Sequence, residues 1–303
     1  MLPWLWSAWA TLTYGGARPA NTVAARNSLL RLDRASLLAA TLVAACLNRL
    51  FVHMADSVAL GGWAHALASL LGVSAVIWIA LLALIDIGGD GTGTKPAPTD
   101  WWLCGAVLAC CLLPSGWEAG LALLGLATVS IVRFGPGTRE RRAAVIGLAL
   151  TGPLLFGPFA LAYFGSEMLR LDAAFVSLVS GHPSAGNIVE FTDPAMRAAG
   201  KQMVIYAGCS SFHNMSLVGV LFAVVTQTLN VRLTRSMWLF AVAMAAAVAA
   251  INVGRLTAIA VHPEHYEFLH TGLGGQLIGL AGLMIAGAII LVGALRSDEH
   301  RHA

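Results

Sequence analysis

Three short stretches in the last third of the chain hold side chains that apolar surroundings should exclude. Cys209 stands in Tyr206-Ala207-Gly208-Cys209-Ser210-Ser211-Phe212-His213-Asn214, Arg255 closes Asn252-Val253-Gly254-Arg255, and His270 opens His270-Thr271-Gly272-Leu273-Gly274-Gly275. A thiolate attacks carbonyl carbons, an imidazole moves the protons, and a fixed guanidinium favours both thiolate and oxyanion. Acyl transfer through cysteine follows if the three meet. Alone, each has a plainer reading: a cysteine in an apolar helix packs as a small residue, an arginine near a helix end snorkels, and an interfacial histidine is solvated. Cys46, Cys104, Cys110 and Cys111 lie in apolar runs and read as packing residues, with no disulfide framework or zinc spacing among the five.

The elements that must position these groups are membrane helices. Of the 303 residues, 58% are hydrophobic and 11% charged, too little polar surface for a water-soluble domain of this size. A span needs roughly 20 apolar residues. Runs of that kind bounded by charge, Gly or Pro fall near Ala35–Ala55, Trp63–Ile87, Trp101–Leu113, Gly116–Val132, Ala143–Gly165, Met203–Gln227, Met237–Val261 and Thr271–Leu295. The expected fold is an all-α polytopic bundle of about eight spans, the short third and the fourth forming a tight hairpin or a re-entrant pair around Pro114 and Gly116.

Basic residues fall in every second gap. Arg18, Arg26, Arg31 and Arg34 precede the first run, Lys95 follows the second, Arg133, Arg139, Arg141 and Arg142 follow the fourth, Arg232 and Arg235 the sixth, and Arg296 and Arg301 the last. By the positive-inside rule these gaps are cytoplasmic and both chain ends lie inside. An early position in the sixth span, a late one in the seventh and the start of the eighth then share one depth at the outer face, which brings Cys209, Arg255 and His270 level. The net charge of +3 is spent on these topology signals, and nothing supports nucleic-acid binding.

The chain divides simply. Residues 1–34, with Trp4, Trp6 and Trp9 before the arginines, read as a cytoplasmic interfacial leader; 35–295 as one helical domain with an outer segment at 166–202; and 296–303 as a cytoplasmic tail. Within the outer segment, Ser166–Val179 is expected as an amphipathic helix on the bilayer and Gly181–Thr192 as loop or short strand. Asn252 and Arg255 share a helix face, so Asn252 is placed to bond the guanidinium or a substrate carbonyl. His213, four residues after Cys209 on one expected helix face, takes a supporting position with Ser210.

In this order and spacing, Cys209-Ser210, Asn252 to Arg255, and His270 ahead of Gly274 resemble the exosortase/archaeosortase family of integral membrane cysteine transpeptidases. The likeness covers the last third of the chain and departs from the family pattern at Gly208, at Ser211 and in Phe212-His213-Asn214. It implies a multi-pass protein of the cell inner membrane whose active site faces the periplasm or exterior. The implied substrates are exported proteins with a C-terminal motif, a transmembrane helix and a basic tail; cysteine, arginine and histidine are the implied catalytic groups. On this basis Cys209 would carry the acyl group, His270 would deprotonate thiol and acceptor, and Arg255 would stabilise the oxyanion or orient the motif. Membrane lipid is the surrounding partner, and no cofactor is required.

Other classes compete. A transporter would use Arg255 in an anion or metabolite path, although charges close to one face suit it less than midplane charges would. A membrane scaffold would need none of the three side chains. The run from His262 to His270 contains imidazoles and carboxylates that can bind a divalent metal, but Pro263 and the short loop argue against a preformed site, and no metal is expected. His262 and His265, like His300 and His302, read as solvated.

Overall fold

The computed structural model describes residues 32–89, 93–113, 117–191, 196, 202–231, 233–270 and 272–302, with side chains as far as 297. The expected leader up to Arg31, the Pro114–Gly116 turn, Arg232, Thr271 and the side chains of His300, Arg301 and His302 lie outside the described residues. In chain order the helices are α1 (Arg34–Ala68), α2 (Ala75–Gly89), α3 (Pro98–Cys110), α4 (Trp117–Arg133), α5 (Arg139–Thr151), α6 (Gly157–Ser180), α7 (Ser211–Thr228), α8 (Arg235–Val261), α9 (Tyr266–His270) and α10 (Leu273–His302). Among the described residues, Arg34–Ala68, Arg139–Ser180, Arg235–Val261 and Leu273–Ser297 are long and apolar enough to cross a membrane.

Local chemistry sets the helix starts. Asp33 caps α1 by accepting from Ser36 N at 2.7 Å, Pro98 opens α3 where no N–H is needed, and Thr234 caps α8 by accepting from Met237 N. The apolar run of the fifth expected span and the expected surface helix after it form one stretch, Arg139–Ser180. A single π turn, Gly152–Phe156, joins α5 to α6. Pro153 and Pro158 lack the N–H an α-helix would require there, and the ladder slips instead of breaking. Arg49 of α1 donates to the Leu154 carbonyl of that turn at 3.2 Å. Gly181, at φ 74, then stops α6 in the left-handed conformation.

Between α6 and α7 the chain forms a small antiparallel sheet of β1 (Ser184–Ala185), β2 (Ile188–Glu190) and β3 (Gln202–Val204), in which Ile188 pairs with Val204. Its Val189 and the following Ile205 are buried against Ala173 and Val176 of α6 and Leu256, Ile259 and Ala260 of α8. Cys209 packs on the edge of this cluster, separate from the main core built by α1, α2, α5 and α7. The sheet therefore works as a wedge that fixes the approach to α7.

The far end of the bundle is held by ions. Asp33 accepts from Arg139 at 2.9 Å and from Gly93 N at 2.9 Å, while Arg139 also donates to the Ile87 and Gly88 carbonyls that end α2. Beside it, Asp100 is shared by Arg34 at 2.8 Å and Arg133 at 2.6 Å. These pairs join α1, α2, α3, α4 and α5 at one level.

Candidate functional site

Met203–Gln227, expected as a continuous span, is strand, turn and helix in succession. Helix α7 begins only at Ser211, and Ala207–Cys209 is a 3-10 turn ahead of it. The reason is local: Ser210 adopts an extended backbone and its hydroxyl accepts from Phe212 N at 3.2 Å, an N-cap that ends whatever precedes it. Cys209 is thus carried on a turn at the mouth of a helix, half exposed rather than embedded in a helix wall.

Across from it, α8 ends at Val261, a turn of Pro263–His265 reverses the chain, and α9 presents His270 in its last position. The Nε2 of His270 lies 3.0 Å from Cys209 Sγ, although 61 residues separate the two in sequence. The ring of Tyr266 stacks on that imidazole, centroids 4.8 Å apart and planes 11° from parallel. Gly272 and Gly275 make the position possible. A Cβ on Gly272 would come within 2.9 Å of the Glu267 carbonyl, and one on Gly275 within 2.9 Å of the Leu269 carbonyl. The glycines after His270 are what let α10 fold back against α9.

Burial is the larger cause that lowers the His270 pKa from its ordinary 6.5, and the charge of Arg255 is the second. At neutral pH the imidazole is therefore uncharged and free to accept a proton. Arg255 is near enough for its charge to be felt there, and its own Nε is buried without a hydrogen-bond partner, as is His270 Nδ1. In native proteins such unpaired buried polar groups are rare.

The carbonyl of Cys209 accepts from Asn252 Nδ2 at 2.8 Å, and the same amide nitrogen reaches Ser211 Oγ at 3.1 Å. Asn252, expected to serve Arg255 or a substrate, gives its Nδ2 to the cysteine turn. Ser210 is fully buried, and its hydroxyl donates to Asp172 Oδ2 at 2.8 Å, with Ser211 N donating to the same oxygen at 3.1 Å. Asp172, on the part of α6 expected to lie on the bilayer surface, is buried under the site. It is the residue that sequence reasoning missed. The available signal was a lone carboxylate inside the run Leu169 to Val179.

The expectation for His213 needs correction. Because the helix starts after Cys209, the four-residue helical spacing does not apply, and His213 lines a separate cavity of about 180 Å³ with Arg49 and His53. Arg49, a charged residue inside the first apolar run, was also overlooked. Arg255 and Asn252 line a larger cavity of about 560 Å³ between α7, α8 and α10, polar at Asn214 and Gln276 and apolar below along Leu221, Ile251 and Leu283.

The backbone N–H groups from Cys209 to Phe212 are all engaged. Cys209 N donates to Tyr206 O, Ser210 N to Ala207 O, Ser211 N to Asp172 and Phe212 N to Ser210 Oγ. No amide from 209 to 212 is left over for an oxyanion, whereas the Arg255 Nε–H is. Comparison with protein-family profiles, with curated sequences and with solved structures gave no match to this chain.

Proposed function

We propose that the chain is a membrane-embedded cysteine transpeptidase or protease of the exosortase type, acting on the C-terminal sorting segment of exported proteins at the outer face of the inner membrane. The observation that carries this reading is the thiol–imidazole pair, Sγ to Nε2 at 3.0 Å, formed near Arg255, whose buried Nε has no partner. About eight spans with both ends in the cytoplasm would put that pair at the outer interface. A substrate helix held in the bilayer by a cytoplasmic basic tail would present its cleavage motif at the same level.

The chemistry then runs on this chain's own residues. Neutral His270 takes the proton from Cys209 through Nε2, and the sulfur attacks the scissile carbonyl carbon. The carbonyl electron pair moves to oxygen, where Arg255 supplies a donor that the amides from 209 to 212 do not. Collapse of the tetrahedral intermediate breaks the C–N bond, and the leaving amine takes the proton from His270. The acyl group remains on Cys209 as a thioester. An acceptor nucleophile or water, deprotonated by His270, attacks that thioester and restores the thiol. Asn252 and Asp172 hold the turn on which the sulfur sits.

The test is co-expression with candidate proteins that end in an apolar helix and a basic tail. Cleavage should be lost in Cys209→Ala, and an acid-trapped adduct on Cys209 should be released by hydroxylamine, as a thioester is. Unchanged cleavage in Cys209→Ala would contradict the reading. The cavity under Arg255 favours a second reading, a transporter for an anion or metabolite. Proteoliposome flux that needs Arg255 and tolerates loss of Cys209 would select it.

A further inference from the structure

The turn between α8 and α9 gathers three metal-ligating side chains that the cysteine chemistry does not use. His262 Nδ1 lies 3.2 Å from Glu264 Oε1, and His265 Nδ1 lies 3.5 Å from the same oxygen. One ligand atom from each of the three falls within 4.8 Å of the others. Sequence alone suggested that Pro263 would spoil such a set, but Pro263 occupies the first position of the 3-10 turn, where its fixed φ is an advantage. The turn then puts all three side chains on the same side, open to solvent.

The spacing suits one class of ion. Zinc bonds to imidazole nitrogen and carboxylate oxygen are about 2.0–2.2 Å long, so the edges of a tetrahedral site measure about 3.3–3.5 Å. Of the two N···O separations, the 3.5 Å one falls in that range and the 3.2 Å one lies just below it. Two imidazoles and a carboxylate, with water in the fourth place, form a recurrent zinc ligand set.

We propose that His262, Glu264 and His265 bind a divalent ion of the zinc class, and that the ion clamps the start of α9. The consequence reaches the cysteine site through one residue. His265 is followed directly by Tyr266, whose ring stacks on His270. A clamp at the turn thus fixes the ring that orients the imidazole. Metal binding itself stands apart from the proposed peptidase chemistry; only the effect on His270 is tied to it.

The experiment uses the full chain without an affinity tag, purified in detergent and stripped of metal. Titration with Zn2+ by calorimetry, and with Co2+ by visible absorption, should give one equivalent per chain. Loss of an outer partner of a metal ligand typically costs about 10- to 100-fold in affinity, so removing a ligand outright in His265→Ala or Glu264→Gln should cost at least about 100-fold. The equivalent should persist in Cys209→Ala, which removes the thiol–imidazole pair, and in His300→Ala/His302→Ala, which removes the tail histidines. Binding that follows Cys209 or the tail, or that survives His265→Ala, would overturn the site. Amide hydrogen exchange over residues 266–270 should slow with Zn2+ in the parent chain and not in His265→Ala; equal exchange would overturn the clamp.

Discussion

The two ends of the bundle treat buried charge in opposite ways. At the far end, Asp33 and Asp100 are each met by arginines and by backbone N–H groups, and Arg139 gives its donors to one carboxylate and two carbonyls. At the Cys209 end, Asp172 is fully used in holding a turn, yet Arg255 Nε and His270 Nδ1 are buried with nothing to bond. A completed network returns its desolvation cost as rigidity; an incomplete one keeps that cost. The contrast separates a staple from a site without appeal to any relative.

Substitutions at the two ends should therefore fail differently. The largest effect belongs to Cys209→Ala and His270→Ala, which should lower substrate turnover by about 100-fold or more without changing thermal stability much. Arg255→Gln should follow, with a loss of about 100-fold from the missing oxyanion donor. It should also shift the pH profile. The proposed chemistry needs neutral His270, so activity should rise as pH climbs through an acid limb lowered from the ordinary imidazole range. Removing Arg255 takes away the second cause of that depression and leaves burial, so the limb moves up while remaining below 6.5.

Asp172→Ala should show both faces of the contrast. It leaves the Ser210 O–H and the Ser211 N–H without an acceptor in a dry place, at a cost of about 1–3 kcal/mol, and it frees the cysteine turn. Thermal unfolding and Cys209 alkylation should change together. Arg139→Ala should lower stability alone. Breaking a buried pair costs about 3–5 kcal/mol, and the exposed fifth of Arg139 reduces the expectation to about 2 kcal/mol. Alkylation of Cys209 should not respond to it. If it did, the two ends would be one coupled unit.

Much of this was legible in the sequence, for a physical reason. A thiol, a guanidinium and an imidazole set among apolar runs stand out, and the structure brings two of them, Cys209 and His270, to 3.0 Å. The details of positioning were hidden because they depend on breaks in helices. Apolar content made Met203–Gln227 look like one span, whereas Ser210 was the visible N-cap that starts α7 after Cys209. The helical face drawn through Cys209 and His213 failed with that start. Asp172 was masked by the opposite error, since the alternation of Ser166–Val179 suits a surface helix until a sheet packs against it. Gly272 and Gly275 were seen as a motif, and only the fold shows that a Cβ on either would come within 2.9 Å of a carbonyl, closer than van der Waals contact allows.

The most direct test is the rate at which Cys209 is alkylated by iodoacetamide, followed by mass spectrometry across pH in membranes carrying the parent chain and His270→Ala. The pairing at 3.0 Å predicts that Cys209 reacts faster than the other four cysteines and slows by about tenfold when the imidazole is removed. Equal rates for all five cysteines, or a Cys209 rate indifferent to His270, would contradict a working thiol–imidazole pair.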